Sequence, residues 1–157
     1  MTTPQRLESL QLLMQREQQF CDEAQAALRH ADDAARHARD QHRQLLTYRG
    51  EYEARWSAQF HRGGTMDILH CYRSFMQRLD QAVAMQARQA EQAQARQAQA
   101  RQALLACERR VASVRKLIER RGAELAQAGR RREQKHTDEQ AQRMRWSRTQ
   151  RDRLLPQ

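Results

Sequence analysis

Residues that make turns and thick cores are scarce in this chain of 157 residues. It holds five glycines, two prolines, three phenylalanines, three tyrosines and two tryptophans. β-Branched residues are few as well, so strands, tight turns and a large aromatic core have little material to form from. Alanine, glutamine and arginine supply 24, 24 and 27 residues. This composition predicts long helices that share a narrow core, and it excludes most enzymes.

Cysteine is also scarce, and long apolar runs are missing. The three cysteines, Cys21, Cys71 and Cys107, show no CxxC spacing, so neither a disulfide framework nor a zinc site is indicated. No stretch longer than seven residues lacks a charged side chain, which argues against a transmembrane helix. Residues 1–6 lack the apolar region of a signal peptide. We therefore expect a protein of the reducing cytosol.

Positive charge is concentrated in the last third of the chain. The formal net charge is +10, and residues 109–157 hold fifteen basic and six acidic side chains, whereas residues 1–62 hold nine of each. Such a localised excess is typical of an interaction surface. The candidate electrostatic residues are Arg109, Arg110, Arg115, Lys116, Arg120, Arg121, Arg130, Arg131 and Arg132.

Apolar residues recur at alternating spacings of three and four in two long segments. Within residues 7–59, twelve of sixteen such positions are apolar, and within residues 69–128 fifteen of eighteen are. This is the pattern of a coiled-coil seam. Between the segments stand the helix breakers Gly63 and Gly64, followed by Thr65 as a candidate N-cap.

The sequence thus predicts an all-α fold, a two-helix antiparallel coiled-coil hairpin with a basic C-terminal helical extension. The hairpin covers residues 1–128, with a helix over 4–61, a turn over 62–65 and a helix over 66–128. Thr3 and Pro4 suit the start of the first helix. Gly122 and Gly129 are expected to interrupt the second, which leaves residues 129–157 as an extension that is helical in part or disordered.

One register aligns the two seams. Pairing residues whose numbers add up to 128 places Ala35 opposite Ala93, so that the backbones approach closely, and His42 opposite Gln86, a polar layer that fixes register. Cys21 and Cys107 share a layer, where we interpret them as small buried hydrophobic residues and not as a redox pair.

Signs of catalysis are missing. The sequence has no glycine-rich phosphate loop, no Ser/His/Asp order and no HExxH motif, and a two-helix hairpin offers no cleft. We expect no enzyme activity and no cofactor. His30, Asp33 and His37 share a helix face, but neighbouring charges favour a solvated, ion-paired face over a metal site.

Aromatic residues cluster near the turn. Tyr52, Trp56 and Tyr72 occupy seam positions, whereas Tyr48 and Phe75 lie beside the seam and should be partly exposed. Two interpretations stay open: these rings thicken the core at the turn, or they anchor a partner.

Residues around the turn and in the tail resemble a known family. Residues 41–52, QHRQLLTYRGEY, and residues 72–83, YRSFMQRLDQAV, resemble the LLxYxxEY and YxxFxxxLxxA patterns of the FliJ family of flagellar type III export proteins. The tail, with ERR at 119–121 and RREQKHTDE at 131–139, resembles that family's ending. The likeness spans nearly the whole chain.

This resemblance implies the central stalk of the flagellar export ATPase ring. Members of the FliJ family are antiparallel two-helix coiled coils similar to the shaft of rotary ATPases. The stalk would insert its paired termini into the ATPase hexamer, couple the hexamer to the export gate and handle export chaperones. It would lie in the cytoplasm, peripherally at the inner face of the cell membrane. The basic residues named above would face the ATPase ring. The gate-binding positions would be Gln41, Leu45, Tyr48, Tyr52, Phe75, Leu79 and Ala82, and Gln86 stands where a histidine is expected.

Three other functions fit parts of the sequence. The equivalent stalk of a virulence type III secretion system shares the architecture, although the flagellar-like tail disfavours it. A basic coiled coil could bind nucleic acid through phosphate contacts, yet no base-reading motif accompanies the arginines, so we expect no specific nucleic-acid partner. The third is a passive structural rod.

Overall fold

The computed structural model describes residues 3–153, with side chains described for residues 5–151, and this part of the chain forms two helices joined by a short turn. Helix α1 spans Thr3–His61 and helix α2 spans Met66–Arg153. The two helices pack against each other in antiparallel fashion, which confirms the predicted fold class. The expected cap formed by the Thr3 and Pro4 side chains, and residues 154–157 of the predicted extension, lie outside the described part.

The turn between the helices depends on glycine and threonine. Gly63 has a φ of 112°, in the left-handed region that glycine adopts without strain. Its N–H donates to the carbonyl of Phe60 over 3.3 Å, which closes the end of α1. Thr65 then begins α2, because its hydroxyl oxygen accepts a hydrogen bond from the N–H of Ile68 at 3.4 Å. The predicted N-cap is therefore confirmed.

Two glycine substitutions should change stability in opposite directions. Gly63→Ala should lower the free energy of unfolding by about 1 kcal/mol, since alanine is strained at positive φ. Gly50→Ala should raise it by up to about 1 kcal/mol, because Gly50 lies inside α1 and a Cβ there meets nothing within 4 Å. Urea denaturation followed by circular dichroism measures both. Equal effects at the two positions would contradict the described turn.

The helices are divided between two compact units, of which one comprises residues 18–109. Its core is a narrow seam of small and medium side chains. Ala35 is only 1% exposed, so the helix backbones lie close together at that layer. The buried residues of this unit are Cys21, Ala35, Ala38, Met76, Leu79, Ala90 and Cys107.

Three cross-helix contacts in this unit, Trp56–Tyr72, Gln97–Asp32 and Gln86–Gln41, follow the predicted register to within one residue. The rings of Trp56 and Tyr72 have centroids 5.4 Å apart. Gln97 Nε2 donates to Asp32 Oδ1 over 2.6 Å. The predicted partner of Gln86 was His42. The Gln86 amide instead donates hydrogen bonds to Gln41 Oε1 at 3.1 Å and to the carbonyl of Ala38 at 3.4 Å. The predicted polar layer is therefore present, but Gln86 has a different partner in it.

The other unit comprises residues 1–17 and 110–157. Among the described residues of this unit, Val111 and Val114 are buried. Glu17 lies at a seam position with a side chain 14% exposed, and its Oε2 is 3.8 Å from Arg110 Nε. Beyond this seam α2 continues alone, and every residue from 130 to 151 is exposed.

Helix α2 does not stop at the glycines, contrary to the expectation from sequence. It runs through Gly122 and Gly129 to Arg153. Each glycine costs a helix about 1 kcal/mol relative to alanine, but alanine, glutamine, glutamate and arginine surround both and favour the helix. The division into a hairpin over residues 1–128 and an extension over 129–157 stays a prediction.

Candidate partner-binding surfaces

An aromatic ladder lies between the two helices next to the turn. Tyr52 is in contact with Tyr48, with ring centroids 5.5 Å apart, and with Phe75 at 4.4 Å. Trp56 stacks between Tyr52 and Tyr72, at 6.3 and 5.4 Å. Tilted ring pairs at these distances add to the free energy gained by burial. The ladder therefore holds the two helices together next to the turn, and contact with Tyr52 fixes the orientation of the Tyr48 ring.

The seven predicted gate-binding residues differ in exposure. Leu79 is buried, Gln41 and Tyr48 are exposed, and the other four, Leu45, Tyr52, Phe75 and Ala82, are half-buried. Tyr48 was expected as an exposed anchor, and 44% of it is accessible. Phe75 was also expected to be partly exposed, and it is half-buried, less exposed than Tyr48, with its ring against Tyr52. The set therefore consists of an exposed rim and a packed base.

A shallow groove of about 370 Å³ runs beside Tyr48. Leu45 and Tyr48 supply its apolar lining, and the amides of Gln41, Gln44 and Gln86 supply donors and acceptors. The hydrogen bond from Gln86 Nε2 to Gln41 Oε1 joins the two helices across the groove. An apolar floor with a few fixed polar groups is the usual form of a recognition surface. We refer to these five residues as the glutamine groove.

Sequence reasoning missed two parts of this region. Gln44 lines the glutamine groove, although it lies outside the seam and directly before the LLxYxxEY pattern. A second groove of about 390 Å³ next to the turn is lined by Tyr52, Trp56 and Ile68 together with Arg55 and Gln59. Ile68, an apolar residue one position before the seam residue Leu69, was the only available signal for it.

The ion pair Arg49–Asp80 borders the aromatic ladder. Arg49 Nε lies 2.8 Å from Asp80 Oδ1, and the side chains are 39% and 51% exposed. Pairs exposed to this extent contribute little to stability, typically less than about 1 kcal/mol. Arg49 occupies a seam position, and the main effect of its ion pair with Asp80 is to make a charged side chain tolerable at that position.

The nine candidate electrostatic residues all lie on α2 and are all exposed. Arg121 Nη1 is 2.7 Å from Glu124 Oε2, and Arg110 lies near Glu17. Arg130, Arg131 and Arg132 follow one another in the part of α2 where every side chain is exposed, so their charges point in several directions around the helix. Such a surface suits an acidic partner that surrounds it.

Apolar side chains accompany the positive charge in the unit of residues 1–17 and 110–157. Leu10, Leu13 and Leu117 line an open groove of about 370 Å³, flanked by Arg6 and Arg121. On the same unit, Leu12 is 67% exposed. Exposed apolar groups beside charges of one sign are typical of protein interaction surfaces.

Within residues 3–153, no group of three or more histidine, cysteine, aspartate or glutamate side chains is placed to hold a metal ion. His30, Asp33 and His37 are exposed on α1. Over the same described span, no helix is long and apolar enough to cross a membrane.

Comparison with protein families decides the classification. The family model described as "Flagellar FliJ protein" matches residues 5–151. The chain belongs to the FliJ family. The match covers both helices and both candidate surfaces, and it agrees with the resemblance seen in the motifs. No curated protein and no solved structure matched the chain.

Membership places this FliJ-family chain among the components of flagellar-type protein export. The family is structural and export-related in character, without catalytic function. The residue roles at the two surfaces are not set by family membership, and they rest on the arguments that follow.

Proposed function

We propose that this FliJ-family chain is the central stalk of the flagellar export ATPase, that it couples the ATPase ring to the membrane export gate, and that it handles export chaperones. The observation that carries the proposal is the family match over residues 5–151 on an antiparallel hairpin. Two helices sharing a narrow seam can occupy the centre of a ring. A flagellar family model also favours this function over the virulence counterpart.

The ATPase would contact the unit of residues 1–17 and 110–157. This unit contains eight of the nine electrostatic residues, from Arg110 to Arg132, and the groove lined by Leu10, Leu13 and Leu117. Charge raises the association rate with an acidic partner, while apolar contacts slow its dissociation. The exposed arginines around α2 fit a partner that contacts the helix from several sides.

The gate would contact the glutamine groove and Tyr48. Tyrosine is enriched among residues that dominate binding energy, and Tyr48 is held in place by Tyr52. Gln41 and Gln86 are already oriented by their mutual hydrogen bond, which lowers the entropy lost on binding. Binding to the gate gives the protein a peripheral position at the inner face of the cell membrane.

Neutralising three arginines should weaken the interaction with the ATPase. The variant Arg130→Gln/Arg131→Gln/Arg132→Gln should bind the ATPase about tenfold more weakly at low ionic strength and stimulate its ATP hydrolysis less. The loss should shrink in high salt, because exposed charges are screened. Titration of ATPase activity with the purified chain at two salt concentrations measures both effects.

A matched control lies farther along the same helix. Arg143, Arg145 and Arg148 are also exposed on α2 but belong to no candidate set. Their replacement by glutamine changes the net charge equally and should leave stimulation close to that of the wild type. If both triple variants lost stimulation equally, the effect would depend on net charge alone and not on the position of the arginines. Submicromolar, sequence-dependent binding to duplex DNA would favour the nucleic-acid alternative instead.

A further inference from the structure

Two of the three cysteines meet across the helices. Cys21 lies on α1 and Cys107 on α2, both within the unit of residues 18–109, and they are 6% and 7% exposed. The numbers 21 and 107 add up to 128, so the register that the contact of Trp56 with Tyr72 follows places the two cysteines in one layer of the seam. Cys107 also contributes to the raised pKa of the Cys21 thiol. Cys71, the third cysteine, is exposed near the turn.

Two buried cysteines on facing helices allow more than the packing role that the sequence led us to expect. A disulfide needs Cβ atoms that point toward each other and sulfurs that can approach to about 2.05 Å. Facing, buried seam positions on neighbouring helices meet the first condition, and the effect of Cys107 on the pKa of the Cys21 thiol is what a neighbouring thiol produces. Rotation about the Cα–Cβ bonds can then supply the remaining approach.

We propose that Cys21 and Cys107 form a reversible disulfide under oxidation by hydrogen peroxide, and that this bond locks α1 and α2 in register. The seam around it offers little steric resistance to sliding, because many of its layers are alanine. One covalent link between opposite residues forbids any shift of one helix along the other. The bond is therefore a modification site that changes how freely the hairpin can move.

The chemistry balances with peroxide as the only oxidant. One cysteine loses its proton, and the resulting thiolate attacks an oxygen of peroxide. The O–O bond breaks, the hydroxide that leaves takes up that proton, and the products are a sulfenic acid and water. The second sulfur then attacks the sulfenic sulfur, the S–O bond breaks, and a second water leaves as the S–S bond forms. Two thiols and one peroxide give one disulfide and two waters, and the two electrons end on oxygen.

Burial makes the reaction slow but selective. Desolvation raises the pKa of the Cys21 thiol, and the neighbouring Cys107 and the charges of Glu108 and Asp22 act in the same direction. The thiol is therefore mainly protonated near neutral pH, and the thiolate is the reactive form. Prolonged oxidation at mildly alkaline pH is the condition under which the bond forms.

Peptide mapping of the full-length protein tests the proposal. The protein, and a Cys71→Ser variant that excludes the exposed thiol, are treated with hydrogen peroxide at pH 8.5, alkylated and digested with trypsin. We expect a disulfide between the peptides of residues 17–29 and 102–109 in monomeric protein, and its loss after dithiothreitol. The oxidised monomer should keep its helicity and melt about 10 °C higher, since the bond closes a loop of roughly 90 residues.

Other results would overturn the proposal. In one, both buried cysteines still react with the alkylating agent in unfolded samples after Cys71 has been fully oxidised. In another, disulfides form only between molecules. A bond that forms but lowers the melting temperature would show that the native register cannot hold it. Cys107→Ala is the matched control, because it must abolish both the linked peptides and the shift in melting temperature.

Discussion

Tyr48→Ala should weaken binding to the export gate at least about 30-fold while changing the free energy of unfolding by less than about 1 kcal/mol. A factor of 30 corresponds to the loss of about 2 kcal/mol that marks a dominant interface residue. Tyr48 suits this test because 44% of it is exposed and its ring rests on Tyr52 without being enclosed. Biolayer interferometry on the cytoplasmic domain of the gate, together with thermal denaturation, measures the two quantities.

Leu46 offers the matched control for Tyr48. It lies two residues away on the same helix, is 43% exposed, and belongs to no candidate set. Leu46→Ala should therefore leave binding to the gate within about twofold of the wild type. Equal weakening by both substitutions would show that any exposed apolar residue near the turn matters, and the assignment of Tyr48 as an anchor would fail.

Leu79→Ala should have the largest effect on stability. Leu79 is 7% exposed in the seam, and truncation of a core leucine costs about 2–5 kcal/mol. We expect the lower half of this range, because a leucine between only two helices has few surrounding side chains, and its truncation leaves a small cavity. Denaturant unfolding gives the value, and Leu12→Ala, at a residue 67% exposed, should stay within about 0.5 kcal/mol of the wild type.

Leu79 also belongs to the predicted gate-binding set, so this variant separates packing from recognition. Binding measured per folded molecule should remain close to that of the wild type, because the buried Leu79 offers almost no surface to a partner. A variant with normal stability and no binding would show that Leu79 is itself a contact residue, and the division into a rim and a base would be wrong.

The seam was predictable because its physics is local and periodic. Spacings of three and four place apolar residues on one helix face, and the paired glycines before Thr65 force the chain to fold back. An antiparallel pairing through that turn leaves few registers. The contact of Trp56 with Tyr72 follows the expected register, and that of Gln97 with Asp32 lies one residue from it.

Near the turn, the strict repeat fails by one residue. The alternating pattern assigns Gln59 to the seam, yet Gln59 is exposed and Phe60 packs against Trp56 at 5.7 Å. A straight helix has 3.6 residues per turn, so its apolar face drifts relative to a 3.5-residue repeat. Large rings also reach sideways, which explains why Phe75 covers Tyr52 instead of projecting into solvent.

The end of the second helix and the shape of the groove were harder to foresee. Glycine was weighed as a helix breaker, but a helix tolerates Gly122 and Gly129 when their neighbours favour it. The glutamine groove depends on which amides meet across the helices, as Gln86 and Gln41 do. Glutamine has three rotatable side-chain bonds and occurs at many positions here, so its partner cannot be read from spacing alone.

The central claim is that one FliJ-family chain joins the export ATPase to the export gate, and a three-component capture assay tests it most directly. The gate's cytoplasmic domain is immobilised, and retention of the ATPase is measured with and without the purified chain. We predict retention only when the chain is present, with loss of retention for Tyr48→Ala and for deletion of residues 122–157. ATPase retained equally without the chain, or not retained with it, would contradict the account.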